Sequence, residues 1–185
     1  MKGLHIMYFY TNYDSPIGSL RLVSDGENLT GLWMEKHRYP YPPAEETAAW
    51  CSRLPVFDEA KKWLNAYFAK KQPSINALPL APSGSPFRQE IWRLLCQIPY
   101  GQVTTYGEIA RQAAANLNKA HMSAQAVGGA VGHNPISIII PCHRVVGTNG
   151  SLTGFGGGIE NKIWLLQHEG LDMTQFTVPT HGTAL

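Results

Sequence analysis

A proline-rich stretch at residues 72–85 constrains the fold most, because it separates two halves of the chain with different hydrophobic patterns. Three prolines lie within it and a fourth, Pro86, follows directly, with little periodicity between them. Proline cannot donate a backbone hydrogen bond and restricts the residue before it, so such a stretch is typical of a linker between compact units. We therefore expect two domains, residues 1–80 and 81–185.

The first half alternates between apolar and polar residues as β-strands do. Residues 8–13, 20–23 and 29–33 show this pattern, and Asp25-Gly26 predicts a turn before the third segment. From Phe57 onward, apolar residues recur at helical spacing, with acidic residues at the start and lysines at the end. The pattern predicts an antiparallel sheet covered by one amphipathic helix, and hence an α/β chain of the α+β type.

Helix start signals dominate the second half. Ser85 is a candidate N-cap with Pro86 at the first helical position, and Thr105 and Glu108 have the spacing of a capping box. Another helix start follows at Ser123. Two short helices in succession suggest a helix-turn-helix, so we expect a helical C-terminal domain.

A run of β-branched residues precedes the most interesting cysteine of the chain. Residues 136–140 (ISIII) are typical of a buried strand, which would deliver Cys142 at its end and hold it firmly. Glycines dominate from 147 to 158, and a final helix is predicted from about 160 to 169, closed by Gly170.

Composition excludes several classes of protein. A hydrophobic content of 44% is that of a globular protein, and the chain shows neither a signal peptide nor an apolar run of the roughly 18 residues that span a bilayer. We expect a cytoplasmic protein without membrane contact. The net charge of +2 is too small to indicate nucleic acid by itself. The three cysteines are far apart, and with no phosphate loop or clustered ligands we expect no disulfide framework, no cofactor and no metal.

Cys142 has several interpretations when it is considered alone. A cysteine after four apolar residues is more often an inert core thiol than a nucleophile. His143 lies beside it in sequence, but neighbours on an extended chain point to opposite faces. A cysteine hydrolase and a helix-turn-helix regulator are further alternatives, although no oxyanion-hole signature and no base-reading side chains support them.

Residues 141–146 (PCHRVV) resemble the active-site signature of the O6-alkylguanine-DNA alkyltransferases. The resemblance continues in order across nearly all of residues 86–170, whereas the first half matches mainly through residues 14–20 (DSPIGSL). The other matching segments are 87–92 (FRQEIW), 98–101 (IPYG), 105–110 (TYGEIA), 126–130 (AVGGA), 134–135 (NP), 157–158 (GG) and 164–170 (WLLQHEG).

The resemblance implies a single-turnover methyltransferase. Its N-terminal domain would be like ribonuclease H, and its helical C-terminal domain would be of the winged helix-turn-helix type. The O6-alkyl group of guanine in DNA, and also the O4-alkyl group of thymine, would pass irreversibly to Cys142. His143 would act as base through a bound water, and Glu169 would orient the imidazole. Tyr106 would donate a proton to the departing guanine, and Asn134 would tie the recognition helix to the active-site turn.

The implied partner is double-stranded DNA containing alkylated guanine, with the damaged base rotated out of the helix. We expect a monomer. Small residues in the second short helix would let it lie close against the minor groove, with little sequence specificity. The expected DNA-contacting residues are Gln125, Ala126, Val127, Gly128, Ala130, Arg144 and Phe155.

Two residues depart from the family pattern. Gln125 stands where the family carries an arginine that fills the gap left by the flipped base, and Phe155 stands where a tyrosine hydroxyl is expected near the guanine O6. These departures suggest an alternative function, a protein that binds alkylguanine with weak or no transfer.

Overall fold

The computed structural model describes residues 7–35, 37 and 48–180, and its first half is built on a four-stranded sheet. β1, β2 and β3 form the antiparallel meander that the alternation predicted. A short β4 pairs in parallel with β1, which the sequence pattern did not predict. The order across the sheet is β3-β2-β1-β4. The strands are β1 (Tyr8–Ser15), β2 (Gly18–Ser24), β3 (Leu29–Met34) and β4 (Ala48–Trp50).

One amphipathic helix, α1 (Pro55–Phe68), packs against this sheet, as predicted. Its proline stands in the first turn, where a missing N–H costs nothing. Phe57, Ala60 and Leu64 are fully buried on the face toward the sheet, and Tyr67 extends this face toward the second half of the chain.

The second half is helical, and its helix starts were predicted correctly. The side chains of Ser85, Thr105 and Ser123 each accept a hydrogen bond from a backbone N–H three residues further on. Gly170 follows the last helix with a positive φ of 88°, which suits a C-terminal glycine. The helices are α2 (Pro86–Leu95), α3 (Tyr106–Asn116), α4 (Ala124–Gly132) and α5 (Ile159–His168).

The prediction of a strand at residues 136–140 was wrong, because this segment folds into consecutive tight turns. Asn134 explains the difference: its Oδ1 accepts from the backbone N–H of Ile136, and its Nδ2 donates to the carbonyl of Ile140. These bonds fold the run back on itself and place Ile138 in the left-handed region at φ 69°, which is rare for a β-branched residue.

Both halves contribute to one continuous hydrophobic core. The turn segment before Cys142 is attached to the edge of the first-half sheet, since the N–H of Leu32 donates to the carbonyl of Pro135 at 2.8 Å. The N–H of Ser137 donates back to the carbonyl of Leu32 at 3.0 Å. A second short pairing, between β5 (Thr104–Thr105) and β6 (Val145–Val146), fixes the start of α3 beside the segment that carries Cys142.

Within the described part of the chain, no helix is long and apolar enough to cross a membrane.

Candidate active site

Cys142 begins a short 3-10 helix, Cys142–Arg144, and its side chain is almost completely buried. Asn134, which follows the end of α4, donates from Nδ2 to the Cys142 Sγ at 3.1 Å. The same Nδ2 donates to the Ile140 carbonyl at 2.8 Å, so one amide holds both the sulfur and the turn that leads to it. The structure thus brings Asn134 and Cys142 together as expected for a link between α4 and the site.

Burial raises the pKa of the Cys142 thiol, and this effect outweighs the Asn134 donor and the Lys162 ammonium, which both act in the opposite direction. The resting sulfur is therefore a thiol. A base is needed to convert it into a thiolate, which is the nucleophilic form.

His143 and Glu169 form a buried pair next to Cys142. Nε2 of His143 lies 2.6 Å from Oε1 of Glu169, and neither side chain is exposed. Burial lowers the pKa of His143, although the Glu169 carboxylate acts to raise it. The neutral tautomer that satisfies Glu169 carries its proton on Nε2. Nδ1 has no hydrogen-bond partner among the described residues and is left as the proton acceptor.

The Glu169 carboxylate is held from several directions. Arg144 donates to it from Nε at 2.8 Å and from Nη2 at 3.0 Å, and the backbone N–H of Gly101 donates at 3.1 Å. The hydroxyl of Tyr67 donates to Oε1 at 2.8 Å. Burial alone would raise the pKa of Glu169, but hydrogen bonds and charges of His143 and Arg144 hold it well below its usual range. The carboxylate is therefore fixed and ionised.

Arg144 lies almost entirely inside the protein. The residue as a whole is 6% exposed. Its Nη1, the guanidinium nitrogen that does not contact Glu169, donates to the Ile98 carbonyl at 2.7 Å. Arg144 was expected among the DNA-contacting residues. In the structure its charge is neutralised by Glu169 instead.

A cavity of about 650 Å³ opens beside this cluster, between the start of α3, the exposed side of α4 and the glycine-rich segment after β6. Tyr106 lines it and donates its hydroxyl to the Thr153 carbonyl at 2.7 Å. Phe155 lines it as well, with its ring edge-on to the imidazole of His143 at 6.4 Å between centroids. Phe155 therefore connects the cavity wall with the imidazole, whereas Cys142, His143 and Glu169 lie behind the wall and do not line the cavity themselves.

α4 presents one side to this cavity and the other to the core. Gln125 and Ala126 are exposed, and Gln125 and Gly128 line the cavity. Val127 and Ala130, also expected to contact DNA, are 0% and 3% exposed. The helical repeat puts these two residues on the inner face, where they pack in the core.

Lys162 and Tyr67 belong to the site, and sequence reasoning assigned neither residue a role there. The fully buried Lys162 donates to the carbonyls of Val145 at 2.6 Å and Thr153 at 2.8 Å. Burial lowers the pKa of Lys162 to about 8, against the opposing influence of Cys142. The sequence did contain a signal for the burial of Lys162, because a lysine three positions before Leu165 falls on the apolar stripe of α5.

Among the described residues, no group of three or more His, Cys, Asp or Glu side chains is placed to hold a metal ion. What the site does contain is a buried thiol with an imidazole and carboxylate pair beside an open cavity, in the half that carries consecutive short helices. This arrangement has the groups that a cysteine nucleophile and its base require, in a candidate DNA-binding fold.

Two family models match the chain. The 6-O-methylguanine DNA methyltransferase ribonuclease-like domain matches residues 8–82, and the DNA binding domain of the same family matches residues 86–171. The chain belongs to the 6-O-methylguanine DNA methyltransferase family.

Individual relatives agree along most of the chain. It is 46% identical to the methylated-DNA–protein-cysteine methyltransferase of Haemophilus influenzae, over 87% of this chain and 86% of that protein. It is 44% identical to that of Mycobacterium tuberculosis, over 88% and 93%. The crystal structure of Mycobacterium tuberculosis OGT in complex with DNA superposes with a TM-score of 0.76 at 42% identity, covering 91% of this chain and 94% of that one.

Proposed function

We propose that this protein repairs double-stranded DNA by moving the O6-alkyl group of a damaged guanine onto Sγ of Cys142. Membership of the family supports the reaction class. The observation that carries the assignment to particular residues is the buried set of Cys142, His143 and Glu169 beside the cavity.

The first step is the removal of the thiol proton. The proton passes from Cys142 to Nδ1 of His143, directly or across one water. Glu169 stabilises the imidazolium that forms, because its ionised carboxylate already accepts the Nε2 hydrogen bond. Asn134 steadies the sulfur with its amide donor while the charge develops.

The second step is a displacement at the alkyl carbon. The bond between sulfur and carbon forms, the bond between carbon and the guanine O6 breaks, and the electron pair stays with the guanine. Tyr106 supplies a proton to the leaving base, and burial raises the pKa of this phenol so that it keeps its proton until then. The Tyr106 phenolate then recovers a proton from the imidazolium of His143 by way of solvent. The net change therefore moves one proton from Cys142 to guanine and the alkyl group in the opposite direction.

The product is a thioether, and water does not cleave its carbon–sulfur bond. Each chain can therefore react once, and repair is stoichiometric. Since Cys142, His143, Glu169, Tyr106 and Asn134 all come from one chain, a monomer suffices. A cytoplasmic location would keep the thiol reduced and complete the proposal.

DNA would lie against the exposed side of α4. A base rotated out of the duplex would enter the cavity, whose wall includes Gln125, Gly128 and Phe155. The side chains of α4 that face the cavity are small apart from Gln125, so the helix can approach the minor groove closely but cannot read a sequence.

Intact-mass measurement after incubation with duplex DNA containing O6-methylguanine tests the proposal. The protein should gain one methyl group, peptide mapping should place it on Cys142, and C142S should gain none. C51S, which removes a thiol outside the site, should behave as the wild type. Tight lesion binding with an unmodified protein would indicate recognition without repair, and repeated turnover would indicate a hydrolase.

A further inference from the structure

Tyr67, near the end of α1, reaches from the first half of the chain into the centre of the site. Its ring is 1% exposed, and its hydroxyl donates to Oε1 of Glu169 at 2.8 Å, across 102 positions of sequence. The other groups that the structure shows donating to this carboxylate, on His143, Arg144 and Gly101, belong to the second half. Oε1 itself is shared between Tyr67, His143 and Nη2 of Arg144.

We propose that Tyr67 is a positioning residue of the transfer reaction, through which the first half of the chain sets how strongly Glu169 supports the protonated form of His143. The proposal rests on the proposed function, because it concerns the base of that reaction.

Tyr67 can influence His143 because both side chains donate to the same oxygen, Oε1 of Glu169. Each donor takes up part of the negative charge of the carboxylate, so less remains for the imidazolium. If the Tyr67 hydroxyl were removed, Oε1 would attract the Nε2 proton of His143 more strongly. His143 would then become protonated at a higher pH and would be unavailable as a base over a wider acidic range.

The Tyr67 hydroxyl acts as a constant donor. Burial and the Glu169 carboxylate both raise the pKa of this phenol, so it remains protonated wherever the protein is folded. Its ring is fixed edge-on to Tyr100 at 6.0 Å and tilted against His168 at 5.3 Å between centroids. Nε2 of His168 also lies 2.9 Å from the Tyr67 carbonyl, so α1 is attached directly beside Glu169.

Other ionisable groups act on the same pair and set the background for any test. Lys162 and Arg144 both lower the pKa of His143, and Tyr100 lies close enough to Glu169 for its own pKa to be raised. None of them changes in a Tyr67 variant. The charged groups that act on His143 are Glu169, Arg144 and Lys162. Tyr67 and Tyr100 carry no charge between pH 5 and 9, because burial and the Glu169 carboxylate raise the pKa of each phenol.

The first experiment compares the single-turnover rate of methyl transfer from O6-methylguanine DNA between pH 5 and 9 in the wild type, Y67F and Y100F. Y67F keeps the ring and removes the hydroxyl. Its acidic limb should move to higher pH by about half a unit to one unit. Y100F is the matched control, because it removes a neighbouring hydroxyl that donates to the His168 carbonyl, and its profile should match the wild type. A Y67F profile with an unmoved limb would overturn the proposal, whether or not the rate falls.

A second measurement needs no DNA. Titration of the His143 imidazole by NMR should give a higher pKa in Y67F than in the wild type and the same value in Y100F. If the wild type fails to transfer methyl groups, the proposed function fails, and this titration still decides the role of Tyr67. An unchanged His143 titration in folded Y67F would reject that role even if transfer occurs.

A third variant reverses the expected direction. Replacement of Tyr67 by 3-fluorotyrosine makes the phenol a stronger donor at nearly constant shape, so the acidic limb and the His143 pKa should both move down. A role limited to packing predicts no such reversal. A shift in the same direction as Y67F would contradict the proposal.

Discussion

Because the guanidinium of Arg144 is buried, its charge stabilises the fold and has almost no contact with the solvent. It is fixed between the Glu169 carboxylate and the Ile98 carbonyl, and a variant that removes it leaves the buried carboxylate without its cationic partner. We predict that R144M lowers the free energy of unfolding by about 3 to 5 kcal/mol, measured by urea denaturation.

R111M is the matched control for this prediction. Arg111 pairs with Glu108 on the surface of α3, with its side chain 72% exposed, so its loss should change stability by less than about 1 kcal/mol. If R144M were as stable as the wild type and bound DNA with a weaker salt dependence, Arg144 would be a phosphate contact after all.

The buried imidazole of His143 predicts a pH dependence of stability. Burial depresses its pKa in the folded state, so the unfolded chain binds this proton at a higher pH. The stability linked to His143 is therefore fully present above the unfolded pKa of about 6.5, and it is lost as the pH falls toward the folded value.

Urea unfolding at pH 7.5 and pH 5.5 tests this linkage. The wild type should lose about 1 kcal/mol more than H143Q, whose side chain does not titrate. The depressed pKa of Glu169 acts in the same direction but only below a pH of about 4, outside this interval. Equal losses in the two proteins would show that His143 is not held neutral.

We expect the substitution of Phe155 by tyrosine to increase activity. Its ring lines the cavity, and a hydroxyl on that ring would add a donor for the oxygen of the departing guanine. We predict that F155Y raises the single-turnover transfer rate by up to about 100-fold, the effect of one hydrogen bond made in the transition state. F155L, which adds no donor, should show no increase, and an unchanged rate in F155Y would mean that the oxygen lies out of reach.

At the scale of elements, the sequence predicted those helices and turns whose hydrogen bonds join residues close together in the chain. The N-caps Ser85, Thr105 and Ser123 predicted three helices, because each satisfies backbone donors only a few residues away. Residues 136–140 were mistaken for a strand, because β-branching predicts strands from composition alone. The amide of Asn134 overrides that preference, and a hydrogen bond to the far end of a turn cannot be seen in a propensity.

The exposed side of α4 carries little charge, and a substitution there can test how this helix contacts DNA. Gln125 is exposed at the cavity and carries no charge, so Q125R would place a cation on the side of α4 that we propose faces DNA. We predict tighter binding of lesion DNA and a salt dependence steeper by about one released counterion, measured as log Kd against log salt concentration. N12R adds the same charge on exposed β1 and should leave the slope unchanged. Equal slopes in all three proteins would place Gln125 away from the backbone.

At the scale of the whole molecule, the site could be predicted only as far as it follows one motif. Residues 141–146 and Glu169 were identified from their order along the chain, and the structure brings Cys142, His143 and Glu169 together. Tyr67 could not be identified, because its role depends on how α1 packs against the second half. Arg144 was given a surface role for the same reason, since burial is a property of the assembled core.

The continuous core predicts that the halves depend on each other. Residues 81–185 expressed alone would lose the Leu32 bonds to the turn segment and the Tyr67 donor to Glu169. We predict that this fragment unfolds without a cooperative transition, followed by circular dichroism, and that it transfers no methyl group. A fragment with cooperative unfolding and full transfer would show that the boundary at 80 and 81 separates independent domains.

The near-complete burial of Cys142 has a consequence for damage to the protein itself. Dissolved oxidants and electrophiles reach Cys51 and Cys96, which are partly exposed, more easily than Cys142, whose residue is 4% exposed and whose thiol is protonated at rest. Burial thus protects a thiol that can react only once from unrelated reagents. It reacts when a flipped nucleobase brings its alkyl carbon within reach of the sulfur.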